Sequence, residues 1–131
     1  MPVVIAWEDS VDKLVRVDIS GKWGWDDLRA ANEQAIRESE GQPYDCIMNY
    51  VVGMTLPADL LGIGRQATTL VPPTLRRLVT VTNDNAVLSM IWKIYITLYG
   101  SRRSHIQFFT ASRLEAAQEI MRSARAKSAT A

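Results

Sequence analysis

One histidine, His105, and one cysteine, Cys46, are the first residues to test for chemistry in this sequence. Nucleophilic catalysis needs a base within hydrogen-bond reach of the nucleophile. His105 opens a predicted strand, and nothing near it in sequence would orient it, so it reads as a strand-end residue rather than a base or ligand. Cys46 lies in the apolar run YDCIMNY and reads as a small buried hydrophobe rather than a reactive thiol. As the single cysteine it can form no disulfide within the chain, and with a single histidine it does not make up a zinc site of the usual composition. Counting leaves carboxylate pairs of the glycosidase type open, but the acidic residues fall mostly in turns and first helical turns, where capping and solvation explain them. On the third predicted strand Asn49 stands where an acid could have served metal or phosphate chemistry. Gly62 and Gly64 lie inside a helical pattern with no Lys-Ser or Lys-Thr after them, so they form no phosphate loop. The expectation is a chain with no catalytic residue, no metal and no cofactor.

The remaining candidates are aromatic and basic. Trp7, Trp23, Trp25 and Trp92 are scattered over a strand, a turn and two helices without interleaved basic residues, which favours packing over a base-stacking platform. Arg76–Arg77 and Arg102–Arg103 are doublets beside strand ends; solvated surface is the plainer account, an anion or acidic partner the sharper one. Fifteen basic against fourteen acidic residues give a net charge of +1, against the basic excess of an electrostatic nucleic-acid binder. The 131 residues suit one domain able to bury its own core, and 47% apolar with 22% charged is ordinary for a globular chain. The start MPVVIAWEDS has neither a positive n-region nor a cleavage site, and the longest oily run, Ala86 to Leu98, is broken by Ser89, Lys93 and Thr97. A cytoplasmic protein with no membrane span is expected.

The elements that must position these residues follow from periodicity. Val3 to Trp7 and Leu14 to Ile19 read as two strands of an antiparallel hairpin, ended by Gly21. Trp25 to Glu38 is a helix with Trp25, Leu28, Ala31, Asn32, Ala35 and Ile36 on one stripe, and Gly41 and Pro43 stop it. Tyr44 to Val51 is the third strand. Gly53 turns the chain, and Pro57 sits in the first turn of a second helix ending near Val71. A fourth strand runs through Leu78, Val79 and Val81. A third helix, capped by Asp84, reaches Tyr99; a fifth strand spans Ile106 to Thr110; and Ser112 with Glu115 forms a capping box for a last helix. The fold class is α/β: one domain, residues 1–125, with a mixed five-stranded sheet, an N-terminal hairpin followed by β-α units with right-handed crossovers, and about four helices. Residues 126–131 read as a frayed tail.

Two stretches stand out as functional edges. The turn after the third strand, from Thr55 through Leu56, Pro57 and Ala58 to Asp59, lies where a strand end meets a helix start, the usual docking place in open α/β sheets. The third helix carries two apolar stripes, Val87/Ile91/Ile94/Leu98 and Leu88/Trp92/Tyr95/Tyr99. Both cannot face one sheet. The second stripe, Leu88, Trp92, Tyr95 and Tyr99, is expected to be the surface for another subunit or an apolar ligand, Trp92 being its centre.

The element order, with G-K-W-G-W-D-D-L from Gly21 to Leu28, T-L-P from Thr55 to Pro57 and A-S-R-L-E-A-A from Ala111 to Ala117, resembles the STAS family, and more closely its divergent SpoIIAA-like branch. The likeness spans nearly the whole chain, on phrases that are individually unspecific. It implies a non-enzymatic protein-binding module, and in that family a switch serine opens the helix after the third strand. Ala58 stands at that place, so the resemblance implies a module without the phosphorylatable serine, Thr55 being the nearest hydroxyl. The expected partners are a protein of unknown identity and a second copy of the chain. The branch is also similar in outline to CRAL-TRIO lipid carriers, which keeps open a second reading: a carrier or sensor of an apolar ligand held between the third helix and the sheet.

Overall fold

In a computed structural model the described residues are 2–55, 74–99 and 106–130, with the side chains at 95, 96, 98, 99 and 128–130 outside that description. The chain opens with an antiparallel hairpin of β1 (Val3–Asp9) and β2 (Leu14–Ile19). Asp9 makes its turn: the carboxylate accepts the backbone N–H groups of Asp12 at 2.9 Å and Val11 at 3.1 Å, and these bonds hold its pKa below the ordinary carboxylate value. From β2 the chain crosses through α1 (Trp25–Glu38) to β3 (Tyr44–Tyr50), which pairs parallel with β2. β4 (Leu75–Val81) pairs parallel with β3, and α2 (Ala86–Tyr99) leads to β5 (Gln107–Ala111), parallel with β4. The last helix is α3 (Leu114–Thr130). The strand order follows the chain, β1-β2-β3-β4-β5.

The two faces of this mixed sheet are built differently. Trp7, Val15, Cys46, Leu78 and Phe108 lie in register across all five strands on one face. There α1 contributes Leu28, Ala31 and Ala35, and α2 contributes Leu88 and Trp92, to one continuous core. Crossovers of one hand in a sequentially ordered sheet bring their helices to the same face, as α1 and α2 are. On the other face α3 packs Ala117 and Met121 against Ile47, Val79 and Val81. A helix is about 10 Å across and strands lie about 4.8 Å apart, so one helix dries only two or three strands. The β1–β2 half of this face accordingly carries Glu8, Arg16 and Asp18, half-buried and ion-paired.

Several local expectations change. The second predicted helix, from Pro57, falls outside the described residues, which hold three helices. β4 begins at Leu75 rather than Leu78, because Arg77 turns its charge inward to a buried partner and so hides the strand in the sequence. Asn85, not Asp84, caps α2: its Oδ1 accepts the Leu88 N–H at 3.0 Å, while Asn83 and Asp84 take left-handed φ angles of 50° and 63°. Arg113 rather than Ser112 is the N-cap of α3, its carbonyl accepting the Ala117 N–H. The helix then continues through Thr130 where a frayed tail was expected, since the alanines and basic residues of Ala124–Lys127 are good helix formers. α1 ends as foreseen near Gly41, whose N–H bonds to Ile36 O while Glu40 N–H bonds to Arg37 O, the paired closure of a left-handed helix terminus.

Candidate functional site

At the C-terminal end of the parallel strands, backbone and amide groups make a polar rim. Gly53, at φ 88°, turns the chain after β3, and Thr55 is pinned beside the start of the α1 segment by its N–H to Gly21 O at 2.7 Å and a parallel bridge to Lys22. The Trp23 indole N–H donates to Met54 Sδ at 3.4 Å, tying the same turn to the core. Next to it Asn83 donates through Nδ2 to Tyr50 O at 2.6 Å and to Asn49 Oδ1 at 3.0 Å, and Asn49 Nδ2 donates in turn to Asp18 Oδ1 at 2.9 Å. Arg16 completes the row by bridging Asp18 and Glu8, and Glu8 accepts from Gln118 of α3. A cavity of about 460 Å³ opens here between Asn49, Asn83, Asp84, Arg113 and Glu115. Of the five residues singled out in the Thr55 to Asp59 turn, Thr55 is exposed on this rim; Leu56, Pro57, Ala58 and Asp59 lie outside the described residues.

Cys46 is buried, and burial together with the neighbouring charge of Asp45 pushes its thiol up to about 12, so it is protonated and unreactive near neutrality. Among the described residues no three of His, Cys, Asp and Glu come together to hold a metal, and His105 lies outside them. No helix of the described residues is long and apolar enough to cross a membrane.

The N-terminal end of the parallel strands is charged instead. Asp45, on β3, is completely buried and faces α3. Arg77, its register partner on β4, meets both carboxylate oxygens through Nη1 at 3.1 and 3.3 Å. Arg125, from α3, approaches with Nε at 3.4 Å, and Arg76 with Nε at 3.6 Å. Sequence reading passed over Asp45, although a single carboxylate inside an apolar strand run is a signal in itself: a buried charge needs partners. It noticed the Arg76–Arg77 doublet but gave it no buried partner, and Arg125 is distant in the chain.

The outer face of α2 corrects the expectation about its stripes. Leu88 and Trp92, assigned to a subunit or ligand surface, are 2% and 5% exposed and belong to the core, with the Trp92 ring centroid 6.4 Å from that of Tyr50. The side chains of Tyr95 and Tyr99 are outside the description. Val87, Met90 and Ile94 face out instead, each 51–55% exposed. α2 therefore has a core stripe and an exposed apolar stripe, with their places exchanged: Leu88 and Trp92 pack into the core and Val87, Met90 and Ile94 do not.

Compared with protein-family models, with curated proteins and with solved structures, this chain matches none.

Proposed function

We propose that this chain is a non-catalytic protein-interaction module of STAS-like type that self-associates through the outer face of α2 and meets a protein partner at the Thr55 rim. The observation that carries the reading is the exposed stripe Val87, Met90 and Ile94 on a helix whose opposite stripe is core. Spacings of three and four residues align these side chains on one line of the helix. Lys93 is the sole charged residue from Ala86 to Tyr99, so little on this helix favours water. Leaving a large apolar side chain in water forgoes on the order of 1.5–3 kcal/mol relative to burying it. A second copy related by a twofold axis presents the same stripe and is the simplest cover, cyclic dimers being the commonest oligomers.

The Thr55 rim supports the partner-binding half of the reading. It joins a strand end, a tight turn and the polar Asn49–Asn83 row at the edge where open α/β sheets dock ligands and partners. The alternative, a carrier of an apolar ligand between α2 and the sheet, has less support, because Trp92 and Tyr50 already pack together there. Sedimentation of the purified chain tests the self-association. A dimer is expected, and Ile94→Glu should give a folded monomer; a native monomer at high concentration, or an Ile94→Glu dimer, would end this reading.

A further inference from the structure

Three arginines converge on the one carboxylate of Asp45. Arg77 reaches both oxygens of that carboxylate from a single nitrogen, Nη1, at 3.1 and 3.3 Å, and its one charge balances that of Asp45. Arg76 and Arg125 at the same group add two positive charges beyond the one that balances Asp45, with the mutual repulsion and lost hydration that this brings. The three come from two adjacent positions of β4 and from the last turns of α3, so their convergence is made by the tertiary structure.

These cations border an open cavity of about 670 Å³ at the N-terminal end of the parallel strands. Its wall holds Lys13, Arg76, Arg77 and Arg125 against the single carboxylate of Asp12, with Gln42 and Pro43 closing the side toward α1. Counting Asp45 behind the wall and Asp9, which feels the charge of Arg125, still leaves cations in excess. The charged groups are held in graded fashion. Asp45 anchors the inner guanidiniums, the Arg77 side chain is 11% exposed and that of Arg125 22%, while Arg76 reaches water at 46%. Arg125 is steadied further by donating to the Asp12 carbonyl.

From this we infer that the cavity binds a small organic molecule through a phosphoryl group, seated against Arg76, Arg125 and Lys13. Guanidinium forks match phosphoryl oxygens in geometry and remain charged at every accessible pH. Four cations against three carboxylates leave one positive charge over, which a phosphoryl group offsets, and its several oxygens can accept from more than one guanidinium at once. The volume lies within the range of small-molecule sites and exceeds that of a bare phosphate, leaving room for a sugar-sized remainder. The site lies at the opposite end of the strands from the Thr55 rim and does not depend on the α2 contact.

Isothermal titration at low ionic strength with inorganic phosphate, glucose 6-phosphate and glucose tests the assignment. The two phosphates should bind with one-to-one stoichiometry and compete, and glucose should give no saturable heat. Arg76→Ala, at an exposed position that leaves the Asp45–Arg77 pair in place, should weaken both phosphates by about tenfold, the loss of one charge-assisted contact. Arg125→Gln should do the same, with circular dichroism confirming that both variants fold. Absence of saturable phosphate binding overturns the inference, and so does binding that both variants leave unchanged. Subunit number, measured on the same samples, reports separately on the α2 contact.

Discussion

Asp45 and Asn49 stand on one strand and one face, four residues apart, and the two ends of β3 have been solved in opposite ways. At Asp45 the sheet is charged: a fully buried carboxylate is held by guanidiniums from β4 and α3. At Asn49 it is neutral: an amide passes hydrogen bonds from Asn83 to Asp18, which leads on to the half-buried ion pairs of Arg16 and Glu8 on the hairpin. The difference follows from cover. α3 lies over β3 to β5 and brings Arg125 down onto the Asp45 end, whereas at its N-terminal end it leaves the Asn49 rim open as a shallow cavity. A charge under cover must be matched inside the protein, while an amide at an open rim is satisfied by neighbours and water. The anion proposed at one end and the protein partner proposed at the other both rest on this difference.

The comparison is broken most directly by removing the buried carboxylate. Asp45→Ala leaves guanidiniums facing one another in a covered site, and urea unfolding should show a loss of about 3–5 kcal/mol, the cost of stranding buried charge. A loss near zero would mean that the arginines reach water freely. Moving the charge to the other end should cost less. Asn49→Asp places a second carboxylate against Asp18, whose Oδ1 now accepts from Asn49 Nδ2 at 2.9 Å, and a loss of about 1–3 kcal/mol is expected at neutral pH. That loss should shrink as the pH is lowered and one carboxyl takes a proton; a pH-independent loss would point to packing instead.

High pH tests the dry face shared by both ends. Burial raises the thiol of Cys46 from 9.0 to about 12, and burial likewise raises the phenols of Tyr44 and Tyr50 above their usual 10.0. Each group is kept neutral in the fold while its unfolded counterpart ionises. Their contribution is therefore complete below about pH 9 and is lost as the pH climbs toward the folded values, at up to about 1.4 kcal/mol per pH unit per group. Urea midpoints should fall from pH 9 upward, and Cys46→Ala should flatten the first part of that fall. A flat profile in the native chain would contradict the burial of all three. The smallest effect belongs to Arg76→Ala, whose half-exposed ion pair contributes no more than about 1 kcal/mol. Stability measured beside phosphate affinity should therefore separate in this variant, the affinity changing and the midpoint hardly moving.

Much of the architecture was legible before the structure because period-two and helical patterns reflect one-sided burial. Val15, Val17 and Ile19 alternate inward on β2 as their spacing implies, and Leu28, Ala31 and Ala35 form the inner stripe of α1. Errors gathered where a residue's environment came from elsewhere. Arg77 concealed the start of β4, since a charge turned inward resembles a loop until its partner is known. Asp84 looked like a helix cap, but Asn83 is drawn back to Tyr50 and Asn49, which places Asp84 in a left-handed turn and passes the cap to Asn85. Thr55 was picked out as the start of the strand-to-helix turn, and the bond that fixes its backbone runs to Gly21, far away in the chain.

Local composition by itself determined the α/β class, the hairpin, the run of strands and helices, and the inert character of Cys46, because each depends on neighbours within a few residues. It also determined that α2 has two apolar stripes. Which of them faces the sheet was decided by tertiary structure alone: Val87 and Leu88 are adjacent and equally apolar, so periodicity cannot rank them, and only the packing of Leu88 and Trp92 into the core does. Tertiary structure also decided that Asp45, Arg76, Arg77 and Arg125 are one cluster. Electrostatic energy depends on separation in space and on the surrounding dielectric, and neither is defined for residues eighty positions apart until the chain has folded.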